Sequence, residues 1–274
     1  MTEQPTSPAK RNCDGQPSLA PATCYASGLK HLDLFSGIGG FAIAAADAGF
    51  ETIGFSEIEP YASKLLKQYW PDVPNFGDVR TVPTVECDLI TGGFPCQPFS
   101  LAGKRRGASD DRFLWPAMLD VIARCKPTWV CGENVPGIVG MELDRVLTDL
   151  EGIGFRTQPL AVPACAVGMD QIRERIWIIA HNPNAVCLRQ QRERTTTKEP
   201  WAREQFEGLV SADLRLCVSA GRRGGVSYGL PNRSHRLKGL GNAIVPQVAT
   251  VILKAMARTH NNALSQSHEN GPQF

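Results

Sequence analysis

The chain lacks any long apolar run: none approaches the roughly 18 residues that a membrane-spanning helix needs, so no membrane role is expected. Residues 1–28 are polar, with Pro, Ser, Thr and Gln, and lack the apolar core of a signal peptide; they read as a disordered leader. No Cys-x-x-Cys pair occurs and the five histidines are scattered, which argues against a zinc site or any other metal. Nine cysteines, an odd number at irregular spacing, do not form a disulfide framework and fit a reducing, cytoplasmic setting. Net charge is only +2, so overall charge announces no polyanion. What remains is an ordinary globular composition, 42% apolar and 20% charged over 274 residues, enough for one large domain or one domain with a small insert.

From His31 to Ala180 short apolar runs alternate with longer amphipathic ones. Residues 31–35, 52–55, 87–90 and 128–131 read as strands; 40–48, 60–70, 114–125 and 143–151 read as helices. That alternation predicts an α/β fold, a mostly parallel sheet with helices on both faces. Residues 155–162 and 175–180 read as two further strands, a hairpin at the sheet edge. After His181 the periodicity fades. Residues 182–234 hold nine basic and five acidic side chains, a charge of +4 that leaves −2 for the rest of the chain. A polyanion-facing module and a solvated insert both fit such asymmetry. A helix-like run then reaches about Met256, with Asn242 placed to cap it, and residues 259–274 read as a flexible tail.

The most constrained segment is Gly92-Gly93-Phe94-Pro95-Cys96-Gln97-Pro98-Phe99-Ser100. Prolines on both sides restrict the backbone around Cys96. A nucleophile needs its attack geometry held in this way, although a buried structural cysteine is also compatible. Asp33-Leu34-Phe35-Ser36-Gly37-Ile38-Gly39-Gly40 closes the first strand and opens the first helix. Its glycines let a ligand approach the backbone at the strand's carboxyl end, or simply allow tight packing. Glu57 and Asp78 follow later strands, where carboxylates can accept from ribose hydroxyls and an exocyclic amine, or lie on the surface. Glu133-Asn134-Val135 ends the fourth strand on the same rim as Cys96. A partly desolvated carboxyl there has a raised pKa and can donate a proton. In an extended Gln171-Ile172-Arg173-Glu174-Arg175, both arginines share a face, ready for phosphate, a base carbonyl, or a salt bridge at the sheet edge.

In this order these elements resemble the cytosine-C5 DNA methyltransferase family: DLFSGIGG at 33–40, Glu57, Asp78, GGFPCQPFS at 92–100, ENV at 133–135, QIRER at 171–175 and GLGNAIVPQ at 239–247. The resemblance covers about 28–181 and 235–258. It implies a Rossmann-like S-adenosylmethionine-dependent methyltransferase fold, with residues 29–181 as catalytic and cofactor-binding domain, 182–234 as a short target-recognition region, and 235–258 packing back on the catalytic domain. It implies S-adenosyl-L-methionine as cofactor, S-adenosyl-L-homocysteine as product, and double-stranded DNA as partner. The chain is expected to act as a monomer in a bacterial or phage-infected cell, with or without a cognate restriction endonuclease.

By the same resemblance, Cys96 is the nucleophile for cytosine C6 and Glu133 contacts N3 and the amino group as proton donor. Arg175 lies on the O2 side, with Arg173 beside it. Phe35, Gly37, Gly39, Glu57, Ile58, Asp78, Pro95 and Asn242 match the cofactor site, with Ile58 standing where many relatives place an aromatic residue. Gln97, Ser100, Lys104, Arg105, Arg106 and Gln171 match positions that face DNA. A tRNA-acting relative shares this architecture but carries Pro-Pro-Cys and Cys-Phe-Thr elements not found here. A degenerate DNA-binding protein is the alternative from another class, suggested by the short recognition region.

Overall fold

The computed structural model describes residues 28–95, 114–185 and 243–269, with side chains as far as His260. Strand β1 (Leu29–Leu34) leads through a glycine turn into helix α1 (Gly40–Asp47) and strand β2 (Phe50–Ser56). Helix α2 (Pro60–Tyr69), strand β3 (Leu89–Gly92), helix α3 (Trp115–Cys125), strand β4 (Trp129–Asn134) and helix α4 (Leu143–Gly152) follow. Strands β5 (Arg156–Pro163) and β6 (Glu174–His181) and the last helix, α5 (Pro246–Glu269), complete the described elements. The six strands form one sheet in the order β2-β1-β3-β4-β6-β5. The β2–β1, β1–β3 and β3–β4 pairs are parallel; β6 runs antiparallel to both β4 and β5. The expected edge hairpin is therefore β5–β6.

Side-chain alternation sorts each strand between two apolar layers. Leu29, Leu89, Trp129, Cys131, Trp177 and Ile179 pack with α1 and α5 on one face. Leu32, Leu34, Ile90, Val130, Ile176 and Ile178 pack with α3 and α4 on the other. Such two-sided burial makes the central strands nearly continuous apolar runs. The last helix reaches the sheet because Gly40 leaves room for it: a Cβ there would sit 2.8 Å from Ile244 Cγ1. Sequence periodicity stops near Met256, and a flexible tail was expected beyond residue 258. Instead α5 continues to Glu269. Residues 247–269 contain no proline or glycine, so nothing in them breaks a helix before Gly271-Pro272. The proposed leader before Gly28 and nearly all of residues 182–234 lie outside the described residues.

A polar relay crosses the middle of the sheet. Thr91 Oγ1 donates to Asp33 Oδ1 at 2.8 Å and lies 2.7 Å from His31 Nε2, while His31 Nδ1 lies 2.9 Å from Thr52 Oγ1. With its own proton on Asp33, the Thr91 oxygen accepts, so Nε2 carries the imidazole proton and Nδ1 accepts from Thr52. Burial pushes His31 down to about 3 and keeps it neutral. Burial likewise pushes Asp33 up to about 8, opposed by the Thr91 hydrogen bond and reinforced by the charge of Glu57.

The two groups act oppositely on stability. Folded Asp33 holds a proton that an unfolded carboxyl releases above about pH 4, so its contribution is lost as pH rises towards 8. Folded His31 refuses a proton that the unfolded ring accepts below about pH 6.5, so its contribution is lost as pH falls. The effects of these two groups offset each other in acid, and between about pH 6.5 and 8 the Asp33 loss is unopposed by His31. Asp33→Asn should remove the Asp33 loss, gaining on the wild type as pH rises through that window, and be more stable than it at pH 8.5 by on the order of 2–5 kcal/mol. Urea unfolding at pH 6.5 and 8.5 checks this; a difference between the two proteins that is the same at both pH values would refute the assignment.

Candidate active site

The carboxyl ends of the parallel strands form one rim, and the chain direction reverses its winding between β1 and β3, where open α/β sheets bind ligands. The β1–α1 turn is shaped for close approach. Phe35, Gly37 and Gly39 have φ values of 54°, 53° and 86°. A side chain at Gly37 would meet nothing within 4 Å, whereas one at Gly39 would collide with Trp70 at 2.6 Å. Gly37 thus faces open space, and Gly39 is required by packing as well as by its left-handed backbone.

Glu57 closes over this turn. Its Oε2 accepts from the Gly37 N–H and its Oε1 from the Glu59 N–H, both at 2.7 Å. Beside it Ile58 is 69% exposed, an apolar surface with no protein cover. Asp78 follows Gly77, which has φ 74° and open space around it. The Asp78 carboxylate is held by Arg80, whose Nη2 lies 2.6 Å away, and the Arg80 hydrogen bonds hold its pKa below the usual range. It therefore has fewer lone pairs for an exocyclic amine than the sequence suggests.

Glu133 and Arg175 form an ion pair on the rim: Arg175 Nε lies 2.9 Å from Glu133 Oε1, with both side chains largely buried. Burial raises the Glu133 pKa, and the charges of Arg175 and Arg173 only partly offset it. The other carboxylate oxygen faces the backbone that leads to Cys96. A Cβ on Gly93 would lie 3.4 Å from Glu133 Oε2, in ordinary van der Waals contact, so that oxygen sits against the Gly93 backbone. Arg173 takes a different post from its neighbour. Its Nη2 donates to the Ala243 carbonyl at 2.7 Å, tying the start of β6 to the segment entering α5. Gln171 is exposed, and Ile172 is 88% exposed.

The structure adds a residue that sequence reasoning did not single out. Asn134 Nδ2 donates to the Phe94 carbonyl at 2.9 Å, while Asn134 Oδ1 accepts from the Val135 N–H. Phe94 is itself buried against Trp115, with ring centroids 5.1 Å apart, and Trp115 Nε1 donates to Asp149. Together these contacts anchor the residues just before Pro95. The signal was present: an amide sits between Glu133 and Val135 at a strand end, where free backbone groups need partners. Cys96, Gln97, Ser100, Lys104, Arg105, Arg106 and Asn242 lie outside the described residues. Among the described residues no cluster could hold a metal ion, and no helix is long and apolar enough to cross a membrane.

The chain is 34% identical over 166 residues to the type II methyltransferase M.AplI of Arthrospira platensis, a match covering 57% of this chain and 46% of that one. It is 37% identical over 160 residues to the type II methyltransferase M.HpaII of Haemophilus parainfluenzae, covering 54% and 44%. With the orphan methyltransferase M.Rho11sI of Bacillus phage rho11s it shares 36% identity over 168 residues, covering 56% and 33%. These matches span less than half the length of each relative. The fold is shared with the crystal structure of a Spodoptera frugiperda DNMT2 variant, at TM-score 0.58 and 16% identity, covering 83% of this chain and 99% of that one. It is also shared with Schizosaccharomyces pombe Dnmt2, at TM-score 0.51 and 18% identity, covering 73% and 58%. The model of the C-5 cytosine-specific DNA methylase family matches residues 29–213, more than half of the sequence, and the chain belongs to that family.

Proposed function

We propose that this protein methylates C5 of a cytosine in duplex DNA, using S-adenosyl-L-methionine and a covalent adduct between Cys96 and C6. The observation that carries this reading is the buried Glu133–Arg175 pair on the rim, with Glu133 Oε2 facing the backbone at Gly93, three residues before Cys96. C5 of cytosine is a poor nucleophile until a thiolate adds at C6. That addition puts negative charge on the ring, which a proton delivered to N3 relieves. A carboxyl with a raised pKa suits that delivery. Arg175 fixes its orientation and leaves guanidinium donors for the O2 side of the ring. Elimination of Cys96 after loss of the C5 proton returns the thiol. Because the target atom is inaccessible within a stacked duplex, the base must be flipped out.

The residues around the β1–α1 turn fit the family's cofactor. Open space over Gly37 and Gly77, the exposed face of Ile58 and the carboxylates of Glu57 and Asp78 supply a backbone cradle, an apolar surface and acceptors for a nucleoside. Phe35, Gly39, Pro95 and Asn242 complete the proposed set. Bound there, S-adenosylmethionine supplies an electrophilic methyl group. Glu57 has a double task, since both its oxygens already accept backbone N–H groups. In Glu57→Gln an amide NH₂ faces one of those donors, so S-adenosylmethionine affinity should fall about tenfold or more by calorimetry. Unchanged affinity would remove Glu57 from the cofactor site.

On the DNA side the reading assigns Gln97, Ser100, Lys104, Arg105, Arg106 and Gln171, and residues 182–234 as target-recognition region. It requires no metal and one copy of the chain. Expression in a methylation-deficient host followed by bisulfite sequencing tests substrate and recognition site together. Absence of 5-methylcytosine, with label from S-adenosylmethionine entering only tRNA, would overturn it. The type II relatives and the orphan phage relative leave both a restriction-linked and a solitary role within this reading.

A further inference from the structure

At the end of β3 away from the rim, residues 82–87 lie across the last turn of α3 and are stapled to it. Arg124 donates from Nη2 to the Val82 carbonyl at 3.0 Å and from Nη1 to Thr84 Oγ1 at 3.2 Å. Next along the helix, Cys125 Sγ accepts from the Val85 N–H at 3.4 Å and lies 4.0 Å from the Pro83 carbonyl. Cys87, two residues beyond Val85, is buried in the same apolar cluster against which Cys125 packs. Two thiols thus share one junction, one buried and one half-exposed, with the half-exposed sulfur fixed against the backbone that leads to the buried one.

We propose that Cys87 and Cys125 form an oxidisable dithiol, a modification site that takes a hydroperoxide as oxidant and closes to an intramolecular disulfide. The electronic setting supports the geometry. The hydrogen bond from Cys87, the Val85 N–H and the charge of Arg124 hold Cys125 down to about 6, against partial burial and the Asp120 carboxylate. That shift favours the thiolate, the nucleophilic form. Its sulfur attacks the O–O bond of the peroxide, giving the sulfenic acid and a hydroxide that is protonated to water. The Cys87 sulfur then attacks the sulfenic sulfur, forming the S–S bond and releasing a second water. Two thiols lose two electrons and two protons, and one hydrogen peroxide is reduced to two waters. The bridge fastens the entry of β3 to the end of α3, at the opposite end of β3 from Pro95. The proposal does not rest on the methylation chemistry.

The test treats the full chain with hydrogen peroxide, blocks remaining thiols with N-ethylmaleimide, and maps bridges by digestion with trypsin and Asp-N, with fragment spectra locating each sulfur. A dithiothreitol-sensitive Cys87–Cys125 bridge is expected. It should persist in Cys96→Ser and vanish in Cys87→Ser, where Cys125 should stop as a sulfenic acid captured by dimedone. On the untreated wild type, which needs no variant to fold, iodoacetamide at pH 7 should label Cys125 at least about tenfold faster than buried Cys131. Oxidation of Cys125 to sulfinic acid without a bridge, oxidation confined to other cysteines, or equal labelling of Cys125 and Cys131 would each overturn the proposal.

Discussion

Cys96→Ala should abolish methyl transfer, lowering the rate by a factor on the order of 10⁴ or more, and should also abolish trapping on duplex DNA containing 5-fluorocytosine. The two readouts are stronger together than apart. The proposed covalent step converts a ring carbon with no useful nucleophilicity into one that can attack an electrophilic methyl group, and an alanine methyl cannot form the bond to C6. The fluorine at C5 cannot leave as a proton does, so the wild-type adduct should persist and migrate as a protein–DNA conjugate. A variant that binds the same DNA with unchanged affinity yet forms no conjugate would isolate the loss to the bond itself. If the alanine variant still accumulates conjugate, the nucleophile is another residue. Should the wild type form no conjugate with any sequence tried, the protein is better described as a DNA-gripping relative that has lost turnover.

Glu133→Gln should slow methyl transfer by about 10² to 10⁴ while leaving the fold intact. Glutamine keeps the shape and an oxygen that accepts from Arg175 Nε, now 2.9 Å from the carboxylate, so the guanidinium retains a partner. What it removes is the exchangeable carboxyl proton. The limb of the rate–pH profile that reports Glu133 deprotonation should therefore disappear from the residual activity. A merely structural carboxylate predicts otherwise: the glutamine variant would keep the wild-type profile, and loss would track Arg175. Glu133→Ala is the harsher change, because it strands the Arg175 charge in a mostly buried position, at a stability cost of a few kcal/mol.

The strand–helix alternation was legible because it follows from burial. Central parallel strands covered on both faces must be apolar, and β3 and β4 announce themselves in that way. Strand β5 was harder to place, since most of its residues are only half-buried at the sheet edge and its alternation is correspondingly weak. The extension of α5 past residue 258 was missed because polar residues carry no periodic signal, although they also carry no helix breaker. Within the site, identities were readable and allegiances were not. Glu133 and Arg175 are 42 positions apart in the sequence, and only the β4–β6 pairing brings them together. Arg173 looked like a twin of Arg175, yet it holds the Ala243 carbonyl. His31 gave no signal as a relay, because its partners Thr52 and Thr91 come from the strands on either side of β1.

The reversed direction of β6 makes the site sensitive to parity. Arg175 shares a sheet face with Trp177 and Ile179, whereas Ile176, Ile178 and Ala180 occupy the other. A single residue inserted or deleted between Arg175 and Ile178 would exchange those sets. The guanidinium would then point into the layer of α3 and α4, and an isoleucine would stand before Glu133. Residues 165–172 lie before that register, inside the Ala164 N–H to Arg173 carbonyl hydrogen bond at 3.0 Å, and a change in their number inverts no face of β6. Length variation is therefore expected in the connection between β5 and β6 and not within β6 itself.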